Sequence, residues 1–275
     1  MNTASKRIDQ AFTHVPVLPL TPNSHYVLFS DCHRGNGSSS DNFLKNQNLY
    51  FAALNYYYEH GFGYIELGDG DELWENRSFS SIQEVHSNVF WLLSRFYDKE
   101  RLWLLYGNHD LVKRTLHPFS DCCFYEGLIL KDIEKNKDLY LTHGHQADFF
   151  NSVLWRTSRF LVRYLWRPME QFGILDPTSA AKNYRVKKKT ERKLESWAKA
   201  NQKILITGHT HRPVLGSKDS PYFNTGSCVH PRCITCIELQ NRTLTLVKWT
   251  LATKEDRTLF VSREVLANPC SLDSL

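Results

Sequence analysis

The sequence predicts an α/β fold, a layered sheet with helices against it, and three observations carry that prediction. Short apolar runs alternate with stretches of helical periodicity through the first half of the chain. Those runs stop at a polar cluster of Asp, His or Asn. The 275 residues, 41% hydrophobic and 23% charged with 13 Gly and 10 Pro, have an ordinary globular composition and length enough to bury a full core. That composition excludes a disordered, collagen-like or coiled-coil chain.

Taken in order, the first twenty residues read as a loose arm. Tyr26-Val27-Leu28-Phe29 is a strand that ends at Ser30-Asp31-Cys32-His33. Asp41 is placed to N-cap a helix running to His60, with Gly61 to stop it. Gly63 to Leu67 is a strand leading into Gly68-Asp69-Gly70-Asp71-Glu72, Ser81 to Tyr97 has a helical pattern, and Leu102 to Tyr106 is a strand leading into Gly107-Asn108-His109-Asp110. The strand ending recurs at Asp138 to Thr142, before His143-Gly144-His145, and at Lys203 to Thr207, before Gly208-His209-Thr210-His211. Arg232 to Leu239 and Thr243 to Trp249, joined by Gln240-Asn241-Arg242, read as a hairpin at the edge of a second sheet. The end from Ala267 reads as unstructured, and no repeat interrupts a single domain over 1–275.

Several function classes fall away. No apolar run approaches the roughly 20 residues of a membrane span, and the opening residues lack a signal-peptide pattern. Seven cysteines, an odd number scattered along the chain, make a poor disulfide framework and read as reduced thiols of a cytoplasmic protein. Cys228, Cys233 and Cys236 lack a fourth cysteine at zinc-site spacing and read as small buried hydrophobes. The net charge of +5 is unevenly spread: residues 147–200 hold twelve bases against five acids, so the rest of the chain is slightly acidic.

The strand ends carry the chemistry. In open α/β sheets side chains from several strands converge at that edge. Asp31 and His33 lie two apart and face one side of an extended segment, as do His209 and His211. Asp69, Asn108 and His143 add three oxygen and nitrogen donors. Seven such ligands exceed one tetrahedral ion and suit two divalent cations sharing a carboxylate, with Mn, Fe, Zn or Co all matching the donor set. His14, His25, His60, His86, His117 and His230 read as ordinary histidines, while His145, two residues beyond His143, reads either as another of these or as a neighbour supporting His143.

Asp31-Cys32-His33, Gly68-Asp69 with Glu72, Gly107-Asn108-His109-Asp110, His143 and Gly208-His209-Thr210-His211 together resemble the ordered motif set of the calcineurin-like metallophosphoesterases, over about residues 25 to 230. The resemblance implies a two-sheet sandwich flanked by helices. It implies that Asp31, His33 and His211 hold one metal, that Asn108, His143 and His209 hold the other, and that Asp69 bridges them. It also implies that His109 is no ligand but sits beside the leaving oxygen, paired with a carboxylate for which Asp71 and Glu72 are the local candidates. Such a cation pair lowers the pKa of a shared water, whose hydroxide attacks phosphorus, while His109 protonates the departing alkoxide. Arg34 is a further candidate for a charge-assisted contact to phosphate.

Compact members of that family join the last two motifs by a shorter link than the 66 residues from His143 to His209 here. Arg156, Arg159, Arg163 and Arg167 step by 3, 4 and 4 along one helical face, opposite Phe150, Leu154, Leu161 and Leu165. Lys182, Arg185, Lys189 and Arg192 form a second stripe, with a break at Asp176-Pro177-Thr178-Ser179. Residues 147–200 thus read as a basic helical cap, with Arg156, Arg159 and Arg163 as substrate contacts. Such a cap, Trp74 after Glu72 and Arg212-Pro213 after His211 are similar to UDP-2,3-diacylglucosamine pyrophosphohydrolases, which implies a phosphorylated small molecule or a lipid-linked substrate and peripheral membrane contact. That subgroup carries Arg where this chain has His109, which turns the expectation toward phosphate mono- or diesters. The alternatives are a nucleic-acid-directed nuclease or binding protein, since basic surfaces also take phosphate backbones, and a Ser/Thr protein phosphatase.

Overall fold

The computed structural model describes residues 3–38, 40–119, 121–166 and 183–275. Arg167, the Asp176–Ser179 break and Lys182 lie outside them. Two sheets form the centre. The larger runs in the order β12 (Leu259–Val265), β11 (Thr243–Thr253), β10 (Cys233–Gln240), β2 (His25–Phe29), β3 (Gly63–Leu67), β4 (Leu102–Leu105), β5 (Phe124–Tyr125), with β13 (Cys270–Ser271) added on β11. The smaller runs β1 (Val17–Leu20), β6 (Gly127–Asp132), β7 (Leu139–Thr142), β8 (Ile204–Thr207), β9 (Tyr222–Asn224).

Side-chain alternation explains the layering. Along β2, Val27 and Phe29 enter one core and Leu28 the other. Leu28, Ile65, Leu67 and Leu105 of the larger sheet meet Leu128, Leu141 and Ile206 of the smaller one, an apolar layer between the sheets. The opposite face of the larger sheet packs on α2 (Gln47–Glu59) and α4 (Ser87–Asp98) through Tyr50, Leu54, Phe90 and Leu93. Leu205 on the far face of the smaller sheet packs on α1 (Thr3–Gln10) and on the helix Tyr184–Asn201 through Ile8, Leu194 and Trp197. Strands buried on both faces read as unbroken apolar runs, which is why these were legible. The result is the helix–sheet–sheet–helix sandwich.

Parallel pairs need a crossover connection. α2 supplies it between β2 and β3, α3 (Phe79–Val85) with α4 between β3 and β4. Between β7 and β8 it contains α5 (Phe149–Ser152), α6 (Trp155–Leu161), a π-helical stretch Val162–Trp166, and α7 (Tyr184–Asn201). The second basic stripe therefore rides on a layer helix whose apolar face is core, and Arg185, Lys189 and Arg192 line a groove against Ala4 and Ser5 of α1 that none of the seven donor residues lines.

Several expectations are corrected. The N-terminal arm is ordered: Ala4 and Ile8 are buried, Trp197 donates to Asp9 at 2.9 Å, and β1 pairs with β6. The C-terminal end is ordered too, because Leu272 is buried and Arg242 bonds Asp273 at 2.9 Å. The hairpin extends the first sheet, with β10 in its interior beside β2. Asp41 is not the cap of α2, which starts after Asn46, but accepts from the Leu44 amide where a 3-10 turn begins. The helix expected over 81–97 breaks at His86, whose ring is held by Asp41 at 3.0 Å and Gln47 at 2.9 Å. Of the four apolar residues placed opposite the arginine stripe, Phe150, Leu154 and Leu165 are exposed and Leu161 is half-buried, and Phe149, Val153 and Phe160 beside them are exposed too.

Candidate metal centre

Each strand end turns sharply to bring its polar side chains to one point. Asp31, His33, Asp69, His209 and His211 all have left-handed backbone conformations, with φ between +49° and +69°. For residues other than glycine that costs about 1–2 kcal/mol each, so other contacts must hold them. The loops lace one another: the Asp31 amide donates to Gly68 at 3.1 Å, His33 to Asp69 at 2.9 Å and Gly208 to His143 at 3.0 Å. The Asp31 carboxylate accepts the His209 amide at 2.9 Å and the Asp69 carboxylate the His109 amide at 2.8 Å. Gly68, at φ +87°, packs so closely that a Cβ there would lie 2.6 Å from the Gly107 nitrogen.

This brings six of the seven predicted donors together, and the seventh, Asn108, precedes His109, whose amide bonds the Asp69 carboxylate. His211 Nε2 lies 3.1 Å from Asp31 Oδ1 and 3.2 Å from His33 Nε2. Asp69 Oδ2 lies 3.9 Å from His33 Nε2 and 3.1 Å from His143 Nε2, and donor atoms of Asp69, His143 and His209 fall within 4.8 Å of one another. A carbonyl or carboxylate can only accept, so the ring protons are assigned by their partners. His143 Nδ1 donates to the Leu67 carbonyl at 2.8 Å and His33 Nδ1 to Glu72 at 2.9 Å, leaving both Nε2 lone pairs toward the cluster. Burial works to raise the Asp69 carboxyl, yet His143 and His109 beside it hold it well below the usual carboxylate range.

The decisive test of fit for cations is hydrogen-bond satisfaction. Among the described residues Asp31 Oδ1, Asn108 Oδ1, His143 Nε2 and His209 Nε2 are buried and have no hydrogen-bond partner. Leaving such a group unmet costs about 1–3 kcal/mol, and four buried acceptors without partners, three of them in residue groups that could hold a metal ion, fit cation binding.

His109 stands beside this cluster. Its Nδ1 donates to Glu72 at 2.8 Å, its ring stacks on Trp74 with centroids 4.2 Å apart, and Nε2 is the remaining nitrogen. Of the two carboxylates the sequence offered, Glu72 is the partner. Asp71 is held elsewhere: it accepts from Arg34 Nε at 2.6 Å and from Lys113. Arg34 is corrected in the same way. It is 1% exposed, and its other two nitrogens grip Glu66 at 2.8 and 2.9 Å, so no guanidinium nitrogen is open to phosphate. Asp110 completes this network, accepting Lys113 at 2.8 Å and the amides of Gly107 and Gly70 at 2.6 and 3.0 Å. Sequence reasoning missed Glu66, Asp110 and Lys113. The signal was present in Glu66, a carboxylate inside the apolar run Gly63 to Leu67, which demands a buried partner.

Of the arginines on the first stripe, Arg163 is half-buried and donates to the carbonyls of Trp74 at 2.6 Å, Leu73 at 3.0 Å and Asn76 at 3.3 Å. Arg156 and Arg159 both lie over the Trp155 ring, 5.4 and 5.3 Å from its centroid. Asp148, 3.8 Å from His209 Nε2, and buried His145, whose ring lies 5.5 Å from that of His143, flank the same end of the cluster.

The family model for calcineurin-like phosphoesterases matches residues 24–213, more than half of the chain and a span that includes all seven donors. The chain belongs to the calcineurin-like phosphoesterase family. Two solved structures resemble this family member: vacuolar protein sorting 29 from Cryptosporidium parvum, at 15% identity over 89% of this chain and 98% of that one with a TM-score of 0.42, and Vps29 from Chaetomium thermophilum, at 12% identity over 90% and 98% with a TM-score of 0.42. The comparison with curated proteins finds no match. No helix of the described residues is long and apolar enough to cross a membrane.

Proposed function

We propose that the protein is a di-metal phosphoesterase hydrolysing a phosphate mono- or diester, or a pyrophosphate. Asp31, His33 and His211 would hold one divalent cation, Asn108, His143 and His209 the other, and Asp69 both. The four buried, unpartnered acceptors carry this reading. Such ions supply charge neutralisation at the phosphoryl oxygens and an acidified water. Mn, Fe, Zn and Co all suit imidazole and carboxylate donors.

The chain does the rest. Glu72 accepts Nδ1–H of His109 at 2.8 Å, which stabilises the imidazolium and leaves Nε2 to hand a proton to the leaving oxygen. Trp74, itself buried, covers one face of that ring and fixes its plane. Glu72 also accepts from His33, so one carboxylate orients a metal ligand and the acid together.

Substrate class rests on the crossover segment. The exposed apolar side chains of 149–165 beside Arg156 and Arg159 support a lipid-linked phosphate or a phosphorylated small molecule as substrate, with peripheral membrane contact, in keeping with the pyrophosphohydrolase-like subgroup. Seven free thiols support a cytoplasmic location.

The test is a turnover screen over phosphomonoesters, diesters, cyclic nucleotides and nucleotide-sugar pyrophosphates with Mn and chelator arms. Chelator-sensitive hydrolysis of one class is expected. Turnover confined to oligonucleotides, falling steeply with salt, would replace the reading with the nuclease. His109→Ala is expected to keep bound metal and lose about 10²–10⁴ in kcat, whereas Asp69→Ala loses metal by elemental analysis. Arg156→Gln with Arg159→Gln is expected to raise KM for a lipid-linked phosphate more than for p-nitrophenyl phosphate.

A further inference from the structure

Arg163 sits in the crossover segment, nearly ninety residues from the loop it grips, and pairs with no acid among the described residues. Its Nε donates to the Trp74 carbonyl at 2.6 Å and its Nη2 to the Leu73 and Asn76 carbonyls at 3.0 and 3.3 Å. A guanidinium is a rigid fork of donors, so three carbonyls on one side fix the path of residues 73–76. Neighbouring Tyr164 accepts from Arg77 at 3.0 Å and extends the clamp by one residue. The same loop is tied from within, because Asn76 Nδ2 donates to the Glu72 carbonyl at 2.8 Å. The loop has one further duty: the Trp74 indole lies on the His109 imidazole at 4.2 Å and 23° between planes.

We infer that Arg163 is a positioning residue: by clamping the 73–76 backbone it sets the Trp74 ring, and through that ring the orientation of His109, so that the crossover segment governs the proton-donating group. The inference rests on the reading of His109 as the leaving-group acid. It differs from a substrate-binding role, which would act on KM, and from a stabilising role, which would act on all substrates alike.

The experiment compares the full-length chain with Arg163→Gln, Arg163→Lys and, as a second route to the same ring, Trp74→Leu. In histidine-labelled protein with zinc, the His109 ring protons, assigned with His109→Ala, carry an upfield shift from the stacked indole. Arg163→Gln and Trp74→Leu are expected to move them toward free-imidazole values, with partial return in Arg163→Lys. In steady-state assays kcat for an alkyl phosphate, whose leaving group needs a proton, is expected to fall about tenfold or more, a share of the 10²–10⁴ a general acid contributes. For p-nitrophenyl phosphate, whose leaving group needs none, kcat is expected to hold within about threefold, with KM unchanged for both. Unmoved His109 signals in Arg163→Gln, or equal losses on the two esters, overturn the inference. If the parent protein hydrolyses neither ester, the phosphoesterase reading fails on its own, and the His109 signals still decide whether Arg163 sets that ring. Should Arg163→Gln not fold, Arg163→Lys and Trp74→Leu carry both readouts.

Discussion

Glu72 shows what a single residue contributes. Its carboxylate accepts Nδ1–H from both His33 and His109, and only a group with two acceptor oxygens satisfies both rings in the tautomer that leaves Nε2 toward the cluster. Glu72→Gln replaces one acceptor with a donor, so one imidazole must turn its lone pair to the amide and present Nε2–H instead. Loss of such an orienting partner typically weakens metal affinity about 10–100-fold, and isothermal titration with Zn²⁺ is expected to show a loss in that range together with reduced kcat. Arg34 and Asp71 teach the converse. Their positions within the motifs are those of substrate or proton-handling groups, yet both are buried in an ion network with Glu66, Lys113 and Asp110. The Asp and His residues that the strand ends gather were legible because a metal restricts the residue types that could serve it. The carboxylate partner of His109 was not, because Asp71 and Glu72 are adjacent in sequence and the turn alone decides which one faces the ring.

At the level of elements, the strand ends are where stability is traded for geometry. Five of the seven donors sit at positive φ, and Gly68 lets the β3 end pass against Gly107. Gly68→Ala would put a methyl into that backbone, and it is expected to destabilise the fold by about 2–4 kcal/mol and to release bound metal, read by thermal melting and elemental analysis. β2, β3, β4, β7 and β8 were legible as apolar runs because both faces are buried. β6 and β12 were not read: Gly127–Asp132 follows directly on β5 without a turn signature, and Leu259–Val265 is a half-exposed strand beside β11 whose apolar pattern is weak. The helical stripe of arginines was real as a spacing and misleading as a face. α5 and α6 are short, the stretch after them is π-helical, and three of its side chains have different fates: Arg163 clamps a loop while Arg156 and Arg159 lie against Trp155.

For the whole molecule, the ends of the chain close the sandwich. Asp132, at the end of β6, is buried and accepts Arg242 and the amides of Glu134 and Lys137 at 3.2 and 2.9 Å, while Arg242 reaches Asp273 at 2.9 Å. Burial works to raise the Asp132 carboxyl, but Arg242 and those amides hold it below its ordinary value. A carboxyl lowered by folding adds stability above its unfolded pKa, near 3.9, and that stability is lost as pH falls through the folded value. Asp132→Asn is therefore expected to cost about 2–3 kcal/mol at pH 7, with the difference between parent and variant shrinking as the pH falls below about 3.9 and through the lower folded value, as measured by urea unfolding across pH. Chain ends of this kind were read as loose because their signals are few: one buried leucine and one arginine clamp do the work of an extended apolar run. The account as a whole stands on a pair of cations held by donors from five strand ends. Anomalous diffraction from crystals soaked in Mn²⁺ or Zn²⁺, with elemental analysis of the same protein in solution, addresses it directly. The account predicts two peaks about 3.5–4 Å apart, both touching Asp69, and two equivalents of metal per chain. A single ion, or ions bound away from these residues at saturating metal, would contradict it.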